Sequence, residues 1–375
     1  MLTQSPATAG PQRRAPSRDA SEVRRTAHAV GNGIEDAGKR VFNVIEANIM
    51  KICVFGAGAI GALMGVQLAR AGADVSFVAR GPHLAAMREN GVRILGNDGE
   101  EVSAKVRCTS DPSELGVQDY VLITLKAHSV PGVVEAMQPL LGKHTAVITG
   151  VNGIPYWYFH GHGGKFAGTQ LSSIDPDGTQ WNRLGPERAI GCVLYPAAEI
   201  IEPGVIKHVY GKKFPIGEPS GERTPRIQAL HEMMTAAGFD APIRDNIRDE
   251  IWLKLWGNLC FNPISALTHG TLDLLAGDAG TRNVCRTMMA EAQRIAEPLG
   301  VHFRVDIERR IDGAGSVGAH KTSTLVDLEH RRPMEIDPLL TVVQEMGRLV
   351  GEPTPTIDVV LALVKMRERM ALQAA

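Results

Sequence analysis

No run of apolar residues in this 375-residue chain approaches the roughly 18 that a membrane-spanning helix requires, and the amino terminus lacks the apolar stretch of a secretory signal. No membrane partner is expected. An excess of one charge is also missing: 40 Lys and Arg stand against 41 Asp and Glu, and no basic runs or aromatic-basic stripes occur, so there is no footprint for nucleic acid. Cysteine is scarce. The five, Cys53, Cys108, Cys192, Cys260 and Cys285, are odd in number, far apart and free of C-x-x-C pairs, which fits reduced, buried thiols in a cytoplasmic protein. His160 and His162 form an H-x-H pair without Cys or acidic companions, so no metal is assigned. The partner left standing is a small molecule.

Such a length suits two domains, each burying its own core. Residues 1–49 stand apart: Pro, Ala, Arg and Ser dominate, few large apolar residues precede Val41, and the expectation is a disordered extension. Its arginines point to a transit peptide, but Asp19, Glu22, Glu35 and Asp36 argue against one. Met50-Lys51 directly precedes the first strand signal. The simplest account is an upstream start that adds a tail with no part in the chemistry.

The most informative stretch begins at Lys51. Ile52 to Phe55 are β-formers, Gly56-Ala57-Gly58-Ala59-Ile60-Gly61 has the G-x-G-x-x-G spacing, and small and apolar residues continue to Gly72. Strand, tight turn and helix in that order mark a dinucleotide site: Gly56 for the turn, Gly58 for approach of a pyrophosphate, Gly61 for helix-strand packing. The phosphates would lie on the free N–H groups of the helix beginning near Ala59. The second strand ends Val78-Ala79-Arg80-Gly81, with no acid to accept from a ribose 2′-OH. A guanidinium there suits a 2′-phosphate, so NADP(H) is favoured over NAD.

A helix near 84–90 and strands near 92–95 and 105–108 lead to the almost continuously apolar Tyr120-Val-Leu-Ile-Thr-Leu-Lys126, which reads as a buried parallel strand. A helix over 130–140 and a strand over 146–149 continue the alternation of an α/β Rossmann-type domain. Segments 193–195, 205–210 and 213–217 are expected to close its sheet, and 223–237 to form a helix. Periodic segments at 247–261, 281–299, 304–311, 319–329 and 335–350 predict an all-α second domain. The boundary falls at 245, giving domains at 50–245 and 246–375 with the active site in the cleft between them. The aromatic, glycine-hinged stretch 154–183 could serve as a lid.

Residues 251–262 are apolar nearly all round, as in an interior helix, yet Lys254, Asn258 and Asn262 interrupt them at intervals of four. Buried ammonium and amide groups need partners, so the stripe is expected to face a polar cleft. Lys254 there could act as an acid, with its pKa lowered by desolvation.

Together these residues resemble the ketopantoate reductase (2-dehydropantoate 2-reductase) family over 50–369. The markers are the 56–61 turn, Val-Ala-Arg at 78–80, Thr-Leu-Lys-Ala at 124–127, Asn-Gly at 152–153, Trp-Leu-Lys-Leu with Asn258 and Asn262-Pro263, Ser323, and Glu-Ile-Asp at 335–337. The resemblance implies NADPH-dependent reduction of ketopantoate to pantoate in pantothenate biosynthesis. It implies Lys254 as proton donor and Asn152, Asn258, Asn262 and Ser323 as substrate contacts. It implies Lys126, Asn152, Glu335 and, more weakly, Ala198 on the cofactor side beside Gly56 to Gly61 and Arg80. The chain departs from the family at His128-Ser129, in the long aromatic segment after Asn152, and at Leu340-Thr341. A bulkier 2-oxo acid is therefore an alternative substrate, a non-catalytic dinucleotide-binding protein a more distant alternative, and the apolar second-domain helices leave room for a homodimer.

Overall fold

A computed structural model describes residues 49–373 of the chain. The expected extension over 1–49 lies, but for Ile49, outside the described residues. From Met50 onward the chain forms one unit. It opens with β1 (Lys51–Phe55), α1 (Ala59–Arg70), β2 (Asp74–Val78), α2 (Gly81–Asn90), β3 (Val92–Leu95), β4 (Glu101–Ala104), β5 (Arg107–Thr109) and β6 (Tyr120–Ile123). It continues through α3 (Val134–Met137), β7 (Ala146–Thr149), β8 (Ala189–Cys192), β9 (Ala197–Glu202), β10 (Val205–Tyr210), β11 (Ile216–Gly217) and α4 (Pro225–Ala236). The main sheet runs β11-β8-β7-β6-β1-β2-β5, parallel from β5 to β8, with β11 antiparallel at one edge. From β5 to β8 this is the doubly wound order of a Rossmann-type sheet. The strand order reverses between β1 and β6, where such sheets open a crevice at the carboxyl ends of their strands.

Sequence periodicity placed the closing strands wrongly. Of 213–217 only β11 joins the main sheet, the segment expected at 193–195 is not a strand and β8 just before it takes the place in the sheet, and 205–210 belongs to a second sheet of order β4-β3-β10-β9. The reason lies in α1, whose residues Gly61 to Val66 are all buried. A helix apolar on every side needs a second cover, and α1 packs against this second sheet as well as the first. The 130–140 helix shrinks to α3 flanked by tighter turns. Pro131 and Pro139 lack the N–H groups that a continuous helix would use.

The second half consists of α5 (Ile247–Thr268), α6 (Leu272–Gly277), α7 (Ala279–Ala296), α8 (Ile307–Gly315), α9 (Ser323–Glu329), α10 (Val342–Val350) and α11 (Pro355–Gln373). Helices α6 and α11 were not expected. Helix α5 does not stop at Pro263 but runs through it to a left-handed cap at His269, φ 58°. The carbonyl interaction lost at the proline is outweighed by burial of Ile264, Ser265 and Ala266 beyond it. Among the described residues no helix is long and apolar enough to cross a membrane. One continuous apolar cluster joins the sheet residues Phe55, Val121 and Val147 to the helical residues Trp252, Leu259 and Met289.

The aromatic run after Asn152 is core rather than lid. Tyr156, Trp157, Tyr158 and Phe159 are at most 3% exposed. Buried Arg248 on α5 donates to the carbonyls of Tyr158 at 2.9 Å, His160 at 2.7 Å and Pro219 at 2.8 Å, and Trp252 Nε1 donates to Tyr158 Oη at 2.7 Å. Those bonds rivet the run to the helix that carries Lys254.

Candidate active site

The glycine turn sits at the carboxyl end of β1, as its sequence requires. Gly56 has φ +107° and its N–H donates to Val78 O at 3.1 Å, so only glycine is unstrained there. A Cβ on Gly61 would lie 2.3 Å from Gly56 O and from Thr124 Oγ1, which itself donates to Gly56 O at 2.6 Å. A Cβ on Gly58 would meet nothing within 4 Å, although its backbone is of an ordinary kind, φ −66°. Glycine at 58 thus clears open space in front of the first N–H groups of α1, which have no acceptor inside the helix. Ala57 is buried and Ala59 and Ile60 half-buried around this opening, and Arg80 is exposed at the start of α2. The N–H groups of Ala59, Ile60 and Gly61, free of acceptors inside the helix, are an arrangement that can hold an anion.

A second cluster forms where α5, the end of β6 and the segment before α10 converge. Lys254 Nζ donates to Asn152 Oδ1 at 2.8 Å and to Leu194 O at 2.5 Å. Asn152 Nδ2 in turn donates to Glu335 Oε2 at 2.9 Å, and Glu335 Oε1 accepts from Ala127 N at 3.1 Å. Lys126 Nζ lies 3.6 Å from Glu335 Oε2 and is hydrogen-bonded to Asp327 Oδ2. Lys126, Asn152, Lys254 and Glu335, four residues singled out in the sequence, are therefore one chain of contacts. Gly153 makes this possible: with φ +85°, its missing Cβ would lie 2.0 Å from Pro338 O, and Ile154 N donates to the same oxygen at 3.2 Å. Any side chain at 153 would push Asn152 away from Glu335.

Glu335, which reads in isolation as a surface residue, is 3% exposed and lies in an irregular segment between α9 and α10. Asn258 is half-buried and Asn262 buried on the Lys254 face, and neither amide has a hydrogen-bond partner among the described residues. Ser323 is exposed at the first turn of α9, a helix that packs on α5. Ala198 is half-buried on β9 opposite His208, in the second sheet. Two contributors escaped the sequence, Asp327, 4% exposed, and the Leu194 carbonyl, while Thr124 was noted only as part of a family marker. Asp327 follows Ser323 by four on one helix face, a signal too common to single it out.

Desolvation pushes the Lys254 ammonium down from 10.5 to about 8, and the negative charge of Glu335 opposes that shift. Burial likewise pushes the nearby Cys192 thiol up to about 12, which keeps it protonated and inert. Lys126, Lys254 and Arg332 face the carboxylates of Asp327 and Glu335. Three cations against two anions leave one positive charge, suited to an anionic substrate. An apolar pocket flanks the lysine stem, lined by Val151, Pro155, Trp157, Val193, Ile251 and Leu255. Of the departures from the family pattern, His128 and Ser129 are exposed and Leu340 is buried.

Known proteins resemble this chain over both its sheet-forming and its helical half. Residues 52–221 match the family described as ketopantoate reductase PanE/ApbA, and 246–368 its C-terminal counterpart. A 2-dehydropantoate 2-reductase of Mesorhizobium japonicum is 58% identical over 317 residues, 84% of this chain and 97% of that protein. The crystal structure of a PanE/ApbA family ketopantoate reductase from Ralstonia eutropha JMP134 is 28% identical, covers 86% of this chain and 99% of its own, and superposes with a TM-score of 0.74. D-mandelate dehydrogenase with NADH and anilino(oxo)acetate, 22% identical with a TM-score of 0.72 over 86% of this chain and 99% of its own, shares the fold. With both halves of its length matched and that degree of identity, the chain belongs to the ketopantoate reductase family.

Proposed function

We propose that this protein reduces 2-dehydropantoate to pantoate with NADPH, using 50–245 to hold the dinucleotide and 246–375 to hold the 2-oxo acid. Held by Gly56 to Gly61 and Arg80, the dinucleotide would supply the hydride that the C2 carbonyl carbon takes up. Lys254 does the rest of the bond-making. An ammonium has three N–H donors, and two of them are committed to Asn152 Oδ1 and Leu194 O. The third is free to donate to the keto oxygen, stabilise the charge that develops there and transfer its proton, leaving a neutral amine that recovers a proton from solvent. Asn152, fixed by Glu335, holds the ammonium in position. The amides of Asn258 and Asn262 and the hydroxyl of Ser323 hold the carboxylate and hydroxyl ends of the substrate.

The observation that carries this reading is a desolvated lysine with one uncommitted donor and a pKa lowered to about 8, suited to giving up a proton near neutrality. Arg80 supports NADPH over NADH. Steady-state oxidation of NADPH and of NADH, with 2-dehydropantoate against a series of larger 2-oxo acids, tests cofactor and substrate together. The expected result is the highest kcat/KM for NADPH with 2-dehydropantoate. No oxidation with any 2-oxo acid, despite NADPH binding, would overturn the enzymatic reading; a larger acid preferred over 2-dehydropantoate would overturn the substrate.

A further inference from the structure

Gly257 sits buried inside α5, where glycine costs a helix stability, and a guanidinium fills the space its side chain would take. A Cβ at 257 would lie 2.0 Å from Arg310 Nη2 and 2.8 Å from Arg310 Cζ. Helix α8 holds the arginine there. Asp306 caps it by accepting from Arg309 N at 2.8 Å, Ile311 and Ala314 are buried, and Phe303 stacks on Trp256 of α5 with ring centroids 3.8 Å apart. Gly257 follows Lys254 by three and directly precedes Asn258, about 60° round the helix from the lysine. The charge of Arg310 also reaches Tyr195, the neighbour of the Leu194 carbonyl that accepts from Lys254: burial and Glu250 hold the Tyr195 hydroxyl above its ordinary range, and Arg310 opposes them. Arg310 therefore lies at the edge of the lysine site.

This half-buried guanidinium is short of partners. Its Nε donates to Leu253 O at 3.3 Å, and neither Nη group has an acceptor among the described residues. The carboxylates nearest in the fold are taken. Glu250 pairs with Arg244 at 2.8 Å and Arg304 at 3.6 Å and accepts from the Tyr195 hydroxyl at 3.1 Å. On α8 itself Glu308 pairs with Arg282 at 2.6 Å and with Arg286, and Asp312 with Arg282 at 2.8 Å. Two idle NH₂ groups in a planar fork match the two oxygens of a carboxylate. We propose that Arg310 binds the carboxylate of the 2-oxo acid, its Nη groups pairing with the carboxylate oxygens beside Gly257 while the keto oxygen lies at Lys254. Resting on the reductase reading above, this role supplies a cation that reading leaves out. Asn258, Asn262 and Ser323 are neutral, so they orient an anion without balancing its charge. Lys254 balances it only until its proton leaves, after which Lys126 and Arg332 match Asp327 and Glu335 one for one. A guanidinium keeps its charge throughout.

Steady-state kinetics of the full-length protein with 2-dehydropantoate and with its neutral amide test the proposal. Arg310→Gln should raise KM for the acid about thirtyfold or more, and leave KM for the amide and the Kd for NADPH unchanged. Gly257→Ala keeps the arginine but pushes its guanidinium aside. Alanine suits a helix interior better than glycine, so the melting temperature should hold while KM for the acid rises as well. The double variant should be no worse than Arg310→Gln alone, because both changes remove one contact. An unchanged KM for the acid in Arg310→Gln, or an equal loss for acid and amide, overturns the proposal even where the wild type reduces 2-dehydropantoate. Should Arg310→Gln fail to fold, an unchanged KM for the acid in Gly257→Ala overturns it instead. A wild type that oxidises NADPH with no 2-oxo acid defeats the reductase reading, and calorimetric titration of pantoate and its amide into the protein saturated with NADP⁺ then decides for Arg310. Weaker binding of pantoate but not of its amide by Arg310→Gln supports the role; no difference, or no binding of pantoate at all, overturns it.

Discussion

Lys254 illustrates how a residue's chemistry depends on what surrounds it more than on what it is. Its ammonium is desolvated enough to lose a proton near neutrality, yet Glu335 keeps it from being lost too early. A general acid must carry its proton, so kcat/KM should be level below about pH 8 and fall about tenfold per unit above it. As far as this one group is concerned, burying the charged form disfavours folding below that pH, and the penalty fades as pH rises towards 10.5. Removing it by Lys254→Ala should lower turnover by about 10²–10⁴-fold, with NADPH binding preserved in a fluorescence titration. Near-normal turnover would exclude the assignment. Glu335→Gln takes away the charge that raises the lysine pKa, so the alkaline limb should move to lower pH. An unmoved limb would mean that Glu335 acts on structure alone.

At the scale of elements the glycine turn separates two kinds of glycine. Gly58→Val adds a side chain to open space on an ordinary backbone, so the protein should keep its melting temperature while losing NADPH affinity, about tenfold or more. Gly61→Ala puts a methyl group 2.3 Å from Gly56 O, and its melting temperature should fall. Equal effects of the two on stability would show that position 58 is structural. The aromatic run behaves as an element too: Trp157 is fully buried and its Nε1 donates to Thr149 Oγ1 at 2.8 Å. Trp157→Ala should destabilise by about 3–5 kcal/mol in denaturant titrations, a loss no mobile lid would show. Its composition alone, aromatics followed by glycines, resembled a hinge because burial is not encoded in neighbouring residues.

For the whole molecule, the continuous apolar cluster from Phe55 and Val121 to Trp252 and Met289 joins the sheet to the helices. Elements that share a core lose it together, so heating should give one cooperative transition for residues 50–375 in calorimetry. Two well-separated transitions would show that the halves keep independent cores. The second sheet belongs to this scale as well: β3 and β10 are distant in sequence and parallel in space, and only a helix apolar all round, lying between them and the main sheet, explains their pairing.

The sequence by itself determined what is written within a few residues: the strand, turn and helix around Gly56, Gly58 and Gly61, the guanidinium at Arg80, and the polar line of Lys254, Asn258 and Asn262 along one helix face. Such features rest on backbone geometry and helical period, which act locally. Tertiary structure alone decided that Asn152 would meet Glu335, 183 positions away, and Lys254, 102 positions away. It also decided that Asp327 and the Leu194 carbonyl would join them. Those contacts depend on long-range packing, through the close approach at Gly153 and the burial of α5, and no pattern of neighbours along the chain specifies them.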